Sequence, residues 1–157
     1  MSTHPHVTAC IALGANLGDA AHTVRHALQD LAHLPQTQLL RASSLYRSAP
    51  VEASGPDFIN AVALVDTALS PLDLLHALQA LEVQAGRERP YRHAPRTLDL
   101  DLIFHGDAQL DTPALTLPHP RWQERAFVLW PLAEICPERV TPAMLDAVRD
   151  QTLERCA

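Results

Sequence analysis

The chain has 157 residues, 12 basic against 18 acidic, for a net charge of −6. An apolar fraction of 47% with 19% charged residues describes one globular domain over residues 1–157, with a core large enough to need no disulfide or metal staple. The acidic balance argues against a general nucleic-acid binder or a membrane-surface protein.

All 12 basic residues are arginine. Without lysine there is no P-loop, no protein-kinase strand lysine and no Schiff-base chemistry. The 5 glycines do not have the spacing of a dinucleotide loop. Any handling of phosphate therefore falls to arginine forks and metal-bound carboxylates. Cys10, Cys136 and Cys156 are odd in number and widely spread, which suggests neither a disulfide framework nor a zinc site. No basic region followed by an apolar stretch opens the chain, and no apolar run is long enough for a membrane span. The expectation is a soluble cytoplasmic protein.

In chain order, residues 7–13 read as a short apolar strand. Asp19 can cap a helix over 20–34 with Val24, Leu28 and Leu31 on one face, stopped by Pro35. Residues 38–47 read as a second strand and 58–67 as a third, joined by a loop over 49–57 that holds Pro50, Gly55 and Pro56. Ser70, Pro71 and Asp73 open a second helix that ends at Gly86. Residues 87–96 form a polar loop, 97–104 a strand, and Gly106-Asp107 a turn toward an edge segment. A helix follows within 121–135, and Pro142 opens a last one. Strand-helix-strand repeated twice is the split βαβ pattern of ferredoxin-like folds. The 49–57 connection is too short for a crossover helix and suits an antiparallel pairing. The predicted class is α+β: an antiparallel sheet with helices on its faces.

Chemistry concentrates in GRERPYRHAPRTLDLDLIF, residues 86–104. Arg87, Arg89, Arg92 and Arg96 precede a strand that bears Asp99 and Asp101. Alternation along a strand puts both carboxylates on one face, roughly 7 Å apart at the backbone, with Leu98, Leu100 and Leu102 on the other. Adjacent carboxylates repel unless a cation lies between them, and Mg2+ accepts carboxylates together with phosphate oxygens. The arginines favour polyphosphate, since guanidinium forks match its oxygens. The pattern alone also fits a solvated strand face whose acids the arginines neutralise. Glu82 points from its helix toward the arginine loop, as a site residue or a plain ion-pair partner. His22 and His26, four apart, lack the glutamate of a zinc-protease motif and read as helix surface. His119 lies beside Arg121 and Arg125.

RHAPRTLDLDLI, residues 92–103, resembles the signature of the 6-hydroxymethyl-7,8-dihydropterin pyrophosphokinases (HPPK). ALGANLGD, LYRSAP, DFINA, LEVQAGRERPYR and LPHPRWQERAFVLWPLAEI match that family's segments in order, over nearly the whole chain. The resemblance implies Mg-dependent transfer of diphosphate from ATP to 6-hydroxymethyl-7,8-dihydropterin in folate biosynthesis, with AMP as the second product. It implies two Mg2+ ions on Asp99 and Asp101. Arg87, Arg89, Arg96, His119 and Arg125 would contact the triphosphate, Arg87 and Arg96 with catalytic roles beside the two aspartates. Gln79 and Glu82 would line the nucleotide site, and Leu102 and Thr116 would lie near adenine. Phe58 and Phe127 would sandwich the pterin, Asn60 with Ser48 and Val51 would bond its polar edge, and Asn16 belongs to the adjoining loop. Ala94, His93, Pro120, Ala114 and Phe58 depart from common family residues. The small molecules ATP and the pterin are the expected partners, with no nucleic acid and no membrane, and the chain is expected to be a monomer. Two other classes fit parts of the pattern: a nucleotide-sensing module without turnover, and a metal-dependent phosphohydrolase.

Overall fold

The computed structural model describes residues 5–49, 56–86 and 98–156. The first strand, β1 (Val7–Ala15), is nearly continuous in apolar residues because both its faces are covered. Helix α1 (Ala20–Ala32) starts where the Asp19 carboxylate accepts from the His22 N–H at 3.1 Å. It stops two residues before the sequence-based end. The N–H groups of His33 and Leu34 turn back to the carbonyls of Asp30 and Leu31, tightening the chain ahead of Pro35.

The single strand expected over 38–47 is two strands, β2 (Thr37–Ala42) and β3 (Tyr46–Ser48). Serine causes the break. Ser43 Oγ accepts the Val62 N–H at 2.9 Å, so a side chain replaces the main-chain carbonyl in the ladder. Ser44 then leaves the sheet: its N–H and hydroxyl both donate to the Glu134 carboxylate. Strand β4 (Phe58–Thr67) pairs antiparallel with β1, β2 and β3 and lies at the centre of the sheet. Helix α2 (Pro71–Gly86) begins as expected, with Ser70 Oγ accepting the Asp73 N–H at 3.1 Å.

Strand β5 (Asp99–His105) returns beside β1. A hairpin of β6 (Leu110–Asp111) and β7 (Thr116–Leu117) follows. The helix expected within 121–135 is divided. A 3-10 turn over Trp122–Glu124 is separated from α3 (Ala126–Ile135) by Arg125, which is extended at φ −122°, ψ 114°. Helix α4 (Pro142–Ala147) is capped by Thr141. Strand β8 (Leu153–Arg155), absent from the sequence-based assignment, pairs with β3. Three residues without alternating hydrophobicity give no periodic signal, and β8 exists because β3 offers it an edge.

The sheet order is β5-β1-β4-β3-β8, with β2 also on β4, and every pairing is antiparallel. This is the α+β, ferredoxin-like split βαβ arrangement. Helices α1 and α2 cover one face, burying Ile11, Leu13, Val65, Leu100 and Leu102 against Val24, Leu31, Leu74 and Leu78. Helix α3 covers the other, over Cys10, Val62, Leu64 and Phe104. A bulge shifts the β1–β5 register at Ile103, between the pairs Ile11↔Leu102 and Cys10↔Phe104. Both Ile103 and Phe104 thereby reach the α3 layer.

Glu134 of α3 staples the gap between β2 and β3. Besides Ser44 it accepts the Tyr46 hydroxyl at 2.6 Å and lies 3.6 Å from Arg155 of β8. Burial alone would raise its carboxyl, but the bonds from Tyr46 and Ser44 and the Arg155 charge outweigh it and hold the group below its ordinary 4.5. Burial and the same bond push the Tyr46 hydroxyl up to about 12. A carboxylate held low adds stability that is complete above 4.5 and is lost as pH falls through the lower, folded value. Glu134→Gln is therefore expected to cost about 1–2 kcal/mol at neutral pH, the scale of lost charge-assisted hydrogen bonds. Thermal unfolding of both proteins along a pH series checks this: the gap in Tm should shrink as acid protonates Glu134.

Candidate active site

At one end of the sheet, on the α3 side, lies a cleft of about 880 Å³. Its floor is the pleat of three adjacent strands. Ala12 and Gly14 of β1 stand opposite Asp101 and Asp99 of β5, and Gly14 stands opposite Asn60 of β4. Asp99 and Asp101 share the cleft face, while Leu98, Leu100 and Leu102 are buried under α1 and α2. The alternation expected from sequence thus holds.

Gly14 keeps this floor flat. A Cβ there would meet Asn60 Oδ1 at 3.3 Å and the Phe58 ring at 4.0 Å. Asn60 is only 3% exposed, and its amide Nδ2 donates to Ser48 Oγ at 2.7 Å across to β3. That bond fixes the amide, so its carbonyl end is presented toward Gly14. Phe58 and Phe127 are half-buried and both line the cleft. The next residues of α3, Val128 and Leu129, turn into the core, so the helix gives the cavity wall only the start of its first turn, Ala126 and Phe127.

Arg125 reaches over the carboxylates. Its guanidinium is 3.8 Å from Asp101 Oδ2 and 5.5 Å from the centre of the Phe127 ring. The 3.8 Å contact is a loose ion pair, with the side chains 30% and 46% exposed, which leaves guanidinium donors and carboxylate oxygens facing the cleft. Half-buried His119 is tied by its own N–H to the Ile103 carbonyl at 2.7 Å, and its Nδ1 accepts the Arg121 N–H at 3.1 Å. Burial lowers its pKa below 6.5; Asp101 pulls the other way, and Arg125 and Arg121 lower it further. His119 is therefore a neutral imidazole with its proton on Nε2 at pH 7. NMR of the imidazole nitrogens should show that tautomer, with a titration midpoint below the ordinary 6.5.

His119 and several other sequence-predicted residues lie outside this lining. Glu82 of α2 accepts the Leu100 N–H at 2.8 Å on the edge of β5, and Gln79 is exposed on the same helix. The Leu102 side chain is buried in the helix-side core, and Thr116 is half-buried on β7. Asn16 donates to the Pro56 carbonyl at 3.4 Å, ahead of Phe58. Arg87, Arg89, Arg96 and Val51 lie outside the described residues. His22 and His26 are at α1's surface beside α2, with His26 3.2 Å from Asp30.

Arg121, Glu124, Gln151 and Thr152 also line the cleft and were not singled out from sequence as site residues. Arg121 and Glu124 fall in a stretch that reads as helix, and Gln151 and Thr152 in one with no periodicity. Among the described residues, no group of three or more His, Cys, Asp and Glu side chains could hold a metal. A cation here would have two carboxylates and would complete its shell with water or ligand oxygens. That donor set suits Mg2+, which dehydrates reluctantly and takes few protein ligands. Among the described residues no helix is long and apolar enough to cross a membrane.

The family profile "7,8-dihydro-6-hydroxymethylpterin-pyrophosphokinase (HPPK)" matches residues 10–137. The chain belongs to this family of pyrophosphokinase enzymes. It is 45% identical over 152 residues to a protein of Pseudomonas aeruginosa named 2-amino-4-hydroxy-6-hydroxymethyldihydropteridine pyrophosphokinase, covering 92% of this chain and 94% of that one. A protein of the same name from Bacillus subtilis is 39% identical over 144 residues, covering 91% and 86%. The fold is similar to the Plasmodium falciparum HPPK-DHPS structure with pterin and p-hydrobenzoate, at a TM-score of 0.71 and 13% identity. That match covers 99% of this chain and 48% of the larger one.

Proposed function

We propose that the chain transfers diphosphate from ATP to 6-hydroxymethyl-7,8-dihydropterin, giving AMP and the pterin diphosphate, as a step of folate biosynthesis. It works as a single HPPK domain over residues 1–157, a cytoplasmic monomer. The observation that carries this reading is the cleft itself: two carboxylates on one strand face, beside an arginine, a fixed amide and two aromatic rings. A flat, polar-edged heterocycle would stack on Phe58 and Phe127, which both line the cleft, with Asn60 and Ser48 at its edge and the Val51 backbone added by sequence resemblance.

Asp99 and Asp101 would hold two Mg2+ ions. When bound, these supply charge neutralisation along the triphosphate and polarise its oxygens. The protein's own part is to position. Arg125 stands beside Asp101, His119 lies close enough to feel both charges, and Arg87, Arg89 and Arg96 join them on the phosphates by sequence resemblance. Gln79, Glu82, Leu102 and Thr116 are assigned to the nucleotide, Glu82 and Leu102 through the β5 edge they build. Asn16 steadies the approach to Phe58 through Pro56. Held in line, the pterin hydroxymethyl oxygen attacks the β-phosphorus, and the oxygen that bridges it to the α-phosphorus leaves with AMP.

The products are the direct test. Incubation with ATP, Mg2+ and the pterin should yield AMP and pterin diphosphate in equal amounts, with little ADP and nothing after chelation of the metal. ADP as the main nucleotide product, or AMP release without pterin, would overturn the assignment. Asp99→Ala and Asp101→Ala should fold normally and lose turnover by orders of magnitude.

A second test addresses the flat floor. Gly14→Ala places a methyl group against Asn60 Oδ1 and should weaken pterin binding about tenfold or more, the scale of one methylene in a tight pocket, with ATP binding nearly unaltered. Titration of each ligand separately decides it.

A further inference from the structure

Gln151 is solvent-exposed, yet both ends of its amide are engaged by one short stretch of backbone. Its Oε1 accepts the Ala126 N–H at 2.9 Å, and its Nε2 donates to the Glu124 carbonyl at 2.7 Å. The residue between these two anchors is Arg125. One partner requires an acceptor and the other a donor, so the primary amide is the group that serves both and its orientation is determined.

The location makes this more than a surface contact. Ala126 opens α3, where the first N–H groups have no partner inside the helix, and Arg125 supplies no side-chain cap. Gln151 caps that helix from 25 residues away. The capped turn carries Arg125, which meets Asp101, and Phe127, which lines the cleft. Gln151 and Thr152 are themselves part of the lining. Two residues after Gln151, Leu153 of β8 pairs with Ser48, the partner of Asn60 on the opposite wall. One short segment therefore ties both walls together.

We infer that Gln151 is a positioning residue: by clamping the backbone on either side of Arg125 it sets the aim of the Arg125 guanidinium and the Phe127 ring. The consequence for turnover rests on the diphosphate-transfer reading above, in which those two side chains meet phosphate and pterin. A shift of either by a fraction of its reach lowers the rate without removing any substrate contact.

The test compares the full-length wild-type chain with Gln151→Met, which keeps length and loses both bonds, and Gln151→Glu, which keeps only the acceptor. In Gln151→Met, kcat should fall and the Kd for the pterin should rise, each by about tenfold, the scale of one to two lost hydrogen bonds. Gln151→Glu should fall between it and wild type. In the absence of substrate, the Arg125 Nε–H resonance should shift in Gln151→Met. Folded variants with a lower Tm but wild-type kcat, pterin Kd and Arg125 resonance would reduce Gln151 to a tail anchor and overturn the inference. A wild-type chain that forms no AMP with pterin would instead overturn the functional reading, and the Arg125 resonance would then decide the positioning role alone.

Discussion

The register of β5 against β1 is the constraint on which the site depends. Two aspartates and three leucines alternate along residues 98–102, and a strand cannot turn one set without turning the other. With Leu100 and Leu102 under α1 and α2, Asp99 and Asp101 must face the α3 side. A slip of one residue would bury both carboxylates among the helix-side leucines and force them to take up protons there, at a cost of several kcal/mol, a large share of a domain's stability margin. Apolar burial on one face therefore holds the charged pair in place on the other.

α3 and the chain beyond it complete what the sheet begins. The helix covers β1 and β4 for most of its length and withdraws where Arg125 is extended, which leaves the end of the sheet open as a cavity. Glu134, at the far end of the same helix, grips Ser44, Tyr46 and Arg155 and so determines where β3 and β8 lie. The wall that carries Ser48 and the wall that carries Phe127 are thus joined through one helix and one C-terminal segment.

Much of this was legible in the sequence because it is periodic. The apolar run of β1, the leucines of α2 and the alternation in β5 each have one physical solution, and together they give the split βαβ order. Asp99 and Asp101 were legible for the same reason. The features that escaped are aperiodic. The break at Ser43 depends on a hydroxyl meeting the Val62 N–H, and the shift at Ile103 on one extra residue against β1. Gln151 acts on a backbone that only the tertiary fold brings near. Phe58 and Phe127 became cleft residues through resemblance to a family; composition and spacing alone did not separate Phe127 from its core neighbours.

The order of these parts along the chain has a consequence for synthesis. Strands β1, β4 and β5 are all in hand once His105 has been made, and with α1 and α2 they form one closed apolar layer. The cleft is not, because Leu153 must come back to Ser48 and Gln151 to the turn around Arg125. On the ribosome, the sheet can assemble well before its binding site exists. A nascent chain arrested after α4 would keep its central sheet while lacking the segment that joins the two walls, so the capacity to bind arrives only once residues 151–155 have been made.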